Sequence, residues 1–305
     1  MPVIIRKEGR KEGPLGVMYV EVNGANFLNT GCYTTTVGEN LFDIGIIFAA
    51  NINYDVPAQR AVLHLNQNVT TVLQNANVYV KPLQDKGIKV LLSILGNHQG
   101  AGVCNFPDET AARDFATQLN QAVRLFDLDG IDFDDEYADY GNNGTGQPNA
   151  FSFIYLLREL RTLMPDKIIS FYYYGPATSR LSYQGLIAGD YLDYSWNSIY
   201  GTYSVPNVPG LTQRAQLGPA AVNVRATSGG TAQNLATQTV NDGYGIYLYY
   251  DLPNTDINTY LSGISERLHG VGSTLTGGCL RPWPPTGKTE KVCACAGKEK
   301  PADEK

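Results

Sequence analysis

Tryptophan is scarce in this 305-residue chain, which has two Trp against 20 Tyr. A long binding cleft paved with indole rings is therefore excluded, and any aromatic surface must be largely tyrosyl. Tyrosine joins an apolar face to a polar tip and suits a wet, concave site. Positive charge is also in deficit. The net charge of −6 argues against nucleic-acid or anionic-membrane binding, and no apolar run approaches the roughly 20 residues that span a bilayer. The five cysteines, Cys32, Cys104, Cys279, Cys293 and Cys295, are odd in number and scattered, so no disulfide framework is expected. Cys293 and Cys295 form C-x-C with no second pair for zinc, and neither a metal nor another cofactor is expected. The opening residues lack the apolar core of a signal peptide. As written, the chain reads as cytoplasmic; the alternative is a secreted protein whose signal has been replaced by a starting Met.

What is present is a regular alternation of strands and helices. Strands are predicted at 16–22, 42–50, 88–95, 128–134, 167–174, 192–200, 219–224 and 244–250. Helical stretches are predicted at about 66–86, 107–126, 149–163, 231–241 and 256–268. The stretch IKVLLSIL at 88–95 is a near-continuous apolar run, as in parallel strands buried on both faces. Eight strands, mostly alternating with helices, predict a (β/α)8 barrel. The connection between the sixth and seventh strands carries Pro206, Pro209, Gly210 and Gly218, so the outer helix ring is expected to be incomplete there. A doubly wound open sheet is the rival, but no Gly-rich phosphate loop follows the first strand. Residues 1–14 read as a flexible leader, 15–278 as a single domain, and 279–305, rich in Pro, Lys and Glu, as a flexible tail. The domain is expected to be a monomer.

The most demanding stretch is DLDGIDFDDEYADY at 127–140, with six Asp and one Glu threaded through Leu, Ile and Phe. Alternate side chains of a strand share a face. Asp132, Asp134 and Glu136 therefore form a row, while Ile131 and Phe133 point the other way. In a barrel this row lines the interior and climbs to the C-terminal mouth, where barrel active sites lie. Crowded carboxyls cannot all ionise, so protons are retained among them. A carboxyl that stays protonated near neutral pH is what a glycosidase needs to protonate a leaving sugar oxygen. No second nucleophile is evident, which suggests that the substrate supplies it, as the acetamido group of a 2-acetamido sugar can. An EF-hand loop is disfavoured, because the sixth position is Tyr137 and the twelfth Asn143. His64 and His269 show no partners in the sequence and read as structural.

The run Asp129, Gly130, Asp132, Asp134, Glu136 resembles the D-G-x-D-x-D-x-E signature of glycoside hydrolase family 18, a family of (β/α)8 enzymes. The stretches 41–55, 89–102, 132–145, 164–170 and 194–202 are similar to the endo-β-N-acetylglucosaminidases of that family, of the endoglycosidase H type. This resemblance implies hydrolysis of the β-1,4 bond in the N,N'-diacetylchitobiose core of high-mannose and hybrid N-glycans, free or on glycoproteins. It implies Glu136 as general acid and then base, Asp134 orienting the acetamido group as it closes to an oxazolinium ion, and Asp132 beneath, tuning Asp134. Asn197 and Tyr200 are expected to hold the acetamido carbonyl, and Tyr250 or Tyr247 to floor the −1 sugar. Asn97, His98 and Gln99, in a loop after the third strand, are candidates for mannose hydroxyls, with His98 also readable as a structural histidine. Two rivals remain open: a chitinase of the same family, disfavoured by scarce Trp, and a silent glycan-binding lectin, disfavoured because Glu136 is present. Sequons stand at Asn68 and Asn143.

Overall fold

The computed structural model describes residues 11–284; Cys293 and Cys295, and most of the expected leader and tail, lie outside them. Seven strands run parallel: β1 (Leu15–Glu21), β2 (Ile44–Asp55), β3 (Lys89–Gly96), β4 (Gly130–Asp134), β5 (Ile168–Tyr173), β6 (Tyr194–Asn197) and, last in the chain, β8 (Ile246–Tyr250). The barrel closes through β7, which is divided at Pro219. Leu217–Gly218 pairs with β6, and Ala220–Asn223 pairs with β8. Proline has no N–H to donate to a ladder, which places the break where the strand passes from one neighbour to the other.

Period-two burial divides each strand between two cores. Val17, Tyr19, Ile46, Leu91, Tyr172, Trp196 and Leu248 fill the barrel interior. Met18, Leu92, Ile131, Phe133, Phe171 and Tyr249 face outward into the layer beneath the helices. Phe133 meets Phe153 edge-on, with ring centroids 5.6 Å apart, a geometry that contributes about 1 kcal/mol beyond area burial.

The helices follow from caps and apolar stripes. Asp108 accepts a hydrogen bond from the Ala111 N–H and caps the helix Glu109–Leu125, whose Ala112, Phe115, Leu119 and Val123 are buried. Ser228 caps Gly229–Asn241 in the same way. The remaining α-helices of the ring are Ser152–Leu163, Asn258–His269 and a run broken into Gln67–Gln74, Ala76–Tyr79 and Lys81–Asp85. The ring is incomplete between β6 and β7, as expected, and also after β1 and β5, where only 3-10 turns and a short hairpin stand. One hairpin escapes the sequence reading: β2 overshoots the barrel and pairs antiparallel with Arg60–His64.

The gap after β1 is covered by the chain's own C-terminal segment. The strand Ser273–Leu275 pairs with Tyr33–Thr35, which brings Cys279 beside Cys32, and the two form a disulfide across 247 residues. This corrects the expectation drawn from scattered cysteines: spacing along the chain carries no signal when the fold supplies the proximity. Beyond it, Arg281 N–H and O bond the Asn29 side chain, Pro282 O accepts from Asn26, and Trp283 packs edge-on to Tyr79. At least 279–283 are thus fastened to the barrel rather than free. Near the other end, Lys11 is buried in an ion pair with Asp43 at 2.8 Å. Among the described residues no helix is long and apolar enough to cross a membrane.

Candidate active site

Register fixes the floor of the site. Ser93 of β3, Asp132 of β4 and Ser170 of β5 are lateral neighbours, so their inward side chains meet. Ser93 Oγ and Tyr19 OH both donate to Asp132 Oδ2, at 2.9 and 2.8 Å, and Ser170 Oγ donates to Oδ1 at 2.7 Å. Trp196 Nε1 donates in turn to Tyr19 OH at 2.8 Å. Asp132 is completely buried. Burial pushes its carboxyl up to about 7, against the opposing pull of the three hydroxyls. Ser93 and Ser170 stand at mid-strand positions where apolar residues are the rule, and that is the sequence signal for such a floor.

One step up, Asp134 is buried beside Tyr172 of β5. Burial raises its pKa well above the usual carboxyl range, and the charges of Glu136, Asp132 and Asp135 add to the rise. Its Oδ1 is buried and has no hydrogen-bond partner among the described residues. Such an oxygen costs about 1–3 kcal/mol unless something donates to it. Glu136 stands above, half-buried, with its pKa raised by burial. Burial therefore raises the proton affinity of all three carboxyls of the row.

The mouth has an aromatic wall. Tyr200 and Tyr250 stack face to face at 5.0 Å with 9° between planes. Tyr250 also meets Phe48 edge-on. Tyr172 OH donates to Ser198 O at 2.8 Å and lies 2.9 Å from Tyr200 OH. Tyr200 and Tyr250 are thus brought together beside the carboxyl row, with Tyr172 and Phe48 as members that the sequence reading missed.

Two expected residues point elsewhere. Trp196 faces the interior, so Asn197, next along β6, faces away. Its amide is spent on Ile199 N, Thr202 O and Thr202 Oγ1, shaping the turn after the strand. Tyr247 belongs to the outer layer, where its hydroxyl donates to Ala232 O at 2.7 Å; it is no part of the sugar floor. Asn97, His98 and Gln99 do follow β3 toward the mouth, but they engage the β2 hairpin and the loop after β4. Asn97 donates to Asn53, exposed His98 pairs with Asp139 at 2.9 Å, and Gln99 accepts from the Tyr54 N–H. Among the described residues no group of three or more His, Cys, Asp or Glu has the geometry to hold a metal ion.

The match to known proteins agrees with this geometry. The family described as "Glycosyl hydrolases family 18" matches residues 30–256. The chain belongs to glycosyl hydrolase family 18. Within that family it is 50% identical, over 264 residues, to an endo-beta-N-acetylglucosaminidase of Flavobacterium sp. (strain SK1022), covering 87% of this chain and 83% of the relative. It is 36% identical to endo-beta-N-acetylglucosaminidase F1 of Elizabethkingia meningoseptica, covering 85% of this chain and 77% of that protein. Among solved structures of the family, EndoBT-3987 of Bacteroides thetaiotamicron, crystallised with a Man5GlcNAc product, superposes with a TM-score of 0.76 at 29% identity over 88% of this chain. This chain spans 63% of the length of that one. The same protein has been solved with Man9GlcNAc2Asn as substrate, at 28% identity and the same TM-score.

Proposed function

We propose that this family 18 hydrolase is an endo-β-N-acetylglucosaminidase that cuts between the two core GlcNAc residues of high-mannose and hybrid N-glycans, by substrate-assisted hydrolysis with retention. The carrying observation is the buried, unbonded Oδ1 of Asp134 beneath half-buried Glu136. That oxygen suits the N–H of a 2-acetamido group. Holding the N–H there turns the acetamido carbonyl oxygen toward the anomeric carbon of the −1 sugar. Glu136 gives its proton to the glycosidic oxygen as the carbonyl oxygen attacks, and an oxazolinium ion forms. Glu136, now a carboxylate, then takes a proton from the water that opens the ring. Two inversions leave the configuration unchanged. Asp132, solvated by three hydroxyls, supports the proton held on Asp134. The stacked pair of Tyr200 and Tyr250 gives the −1 sugar an apolar wall. The Cys32–Cys279 disulfide supports the secreted form of the chain, since disulfides persist in oxidising compartments.

The test is mass spectrometry of a denatured glycoprotein bearing high-mannose N-glycans after incubation with the wild type or Glu136→Gln. The expected result is a single GlcNAc left on Asn by the wild type, and a loss of at least about 100-fold in rate for the variant. A glycoprotein left intact by the wild type overturns the reading.

A further inference from the structure

β4 ends at Asp134, and the ladder to β5 ends with it at the pair Asp134–Tyr172. Glu136 therefore stands beyond the β5 ladder, on chain whose carbonyl is held by the Gly96 N–H at the end of β3. Directly after it the backbone is left-handed at Tyr137 (φ 57) and again at Asp139 (φ 50). Such conformations cost of order 1–3 kcal/mol each in non-glycine residues and persist only where the surroundings impose them.

One group that ties this turn down is Asp135, the residue between Asp134 and Glu136. Its side chain is buried. It gathers donors from three loops. Tyr140 OH, from the same loop, donates to Oδ1. The Ala177 N–H, after β5, donates to Oδ2 at 2.7 Å, and Cys104 Sγ, after β3, at 3.4 Å. Tyr140 OH also accepts from the Cys104 N–H at 3.1 Å, so two of the anchors are bonded to each other. On the far side Gly175 lies against the Asp135 backbone: a Cβ there would come within 2.2 Å of the Asp135 carbonyl oxygen. A buried carboxylate beside two others is a costly anchor, because the charges raise one another's proton affinity.

We propose that Asp135 is a positioning residue for proton donation: its carboxylate clamps the turn that carries Glu136 onto the loops after β3 and β5, and so sets the reach of the Glu136 carboxyl toward the leaving oxygen. The proposal rests on the hydrolase reading above. The charge of Asp135 also contributes to the proton affinity of Asp134, which places it in the same proton-holding row.

The experiment compares two substrates that differ only in their need for an acid. One is the chitobiose-linked glycan, whose leaving sugar hydroxyl requires protonation. The other is an aryl glycoside of the same glycan arm, whose nitrophenol departs without it. Asp135→Asn is expected to lower kcat on the glycan by about 100-fold and on the aryl glycoside by less than about fivefold, with KM on both near the wild-type value. Tyr140→Phe, which keeps the carboxylate and removes one anchor, is expected to show the same bias at about tenfold. It decides the matter alone if Asp135→Asn fails to fold. Equal losses on the two substrates, a change confined to KM, or no loss overturns the positioning role. A wild type inert on both substrates overturns instead the hydrolase reading beneath it.

Discussion

At the scale of single residues, the site is a problem of where protons reside. Asp132 is lifted to about 7 and Asp135 to about 6, whereas the unfolded chain releases those protons near pH 4. Between these limits the folded protein binds more protons than the unfolded one. The stability that these two carboxyls contribute is therefore full below about pH 4 and is lost as pH rises through about 6 and 7. Asp132→Asn should remove that residue's share of the slope, roughly 1.4 kcal/mol per pH unit at its steepest. Denaturant unfolding of wild type and variant from pH 4 to 8 measures the difference, and two parallel profiles would show that Asp132 ionises normally in the fold. Much of this row is legible from sequence, because period two puts Asp132 and Asp134 on one face of β4, with Glu136 next in step just past its end. The same rule, applied to β8, separates Tyr250 from Tyr247, since an odd interval in a strand reverses the face; aromatic character alone had drawn both into the floor. Asn197 fails by the same logic beside Trp196. Asp135 leaves no such trace, for nothing in a linear pattern shows that its side chain will meet Tyr140, Cys104 and the Ala177 N–H.

At the scale of elements, the end of β3 and the loop after it serve as a splint for the loop after β4. Gly96, His98 and Gly100 donate their backbone N–H groups to the carbonyls of Glu136, Tyr137 and Ala138, at 3.0, 2.7 and 2.8 Å. The splint lies so close that a Cβ on Gly96 would come within 2.4 Å of both the Glu136 carbonyl oxygen and the Ala138 nitrogen. Backbone cannot give way as a side-chain tip can. Gly96→Ala should therefore displace the Glu136 turn, lowering kcat at least about tenfold and stability by roughly 1–3 kcal/mol. Steady-state kinetics alongside thermal melting reads both, and a variant with wild-type kcat would show that the splint does not govern the acid. The helices were readable from caps and stripes, as with Asp108 before Glu109–Leu125. The hairpin partner Arg60–His64 was not, because its residues are half-exposed and have no buried face to declare.

At the scale of the whole molecule, the barrel is completed by parts distant in sequence. Segment 279–283 packs against the turn after β1 and against Tyr79, and Cys32–Cys279 holds it there. Closing a loop of this length restricts the unfolded chain, which contributes about 2–4 kcal/mol in typical cases. Cys32→Ser, or unfolding in the presence of a reductant, should lower the denaturant midpoint accordingly; an unchanged midpoint would mean that the flank stands without its staple. Neither the pairing nor the docking was visible in composition, since nothing in the linear pattern of 279–283 points to Asn26, Asn29 and Tyr79 as partners. The wall of the barrel is likewise uneven. β7 is a lapped joint: a short overlap holds it to β6 and a longer one to β8, and the stacked rings of Tyr200 and Tyr250 sit one on each side of it. The sugar's aromatic wall thus straddles the thinnest stave of the cask, so a sugar pressed against both rings would also be a hoop around the joint.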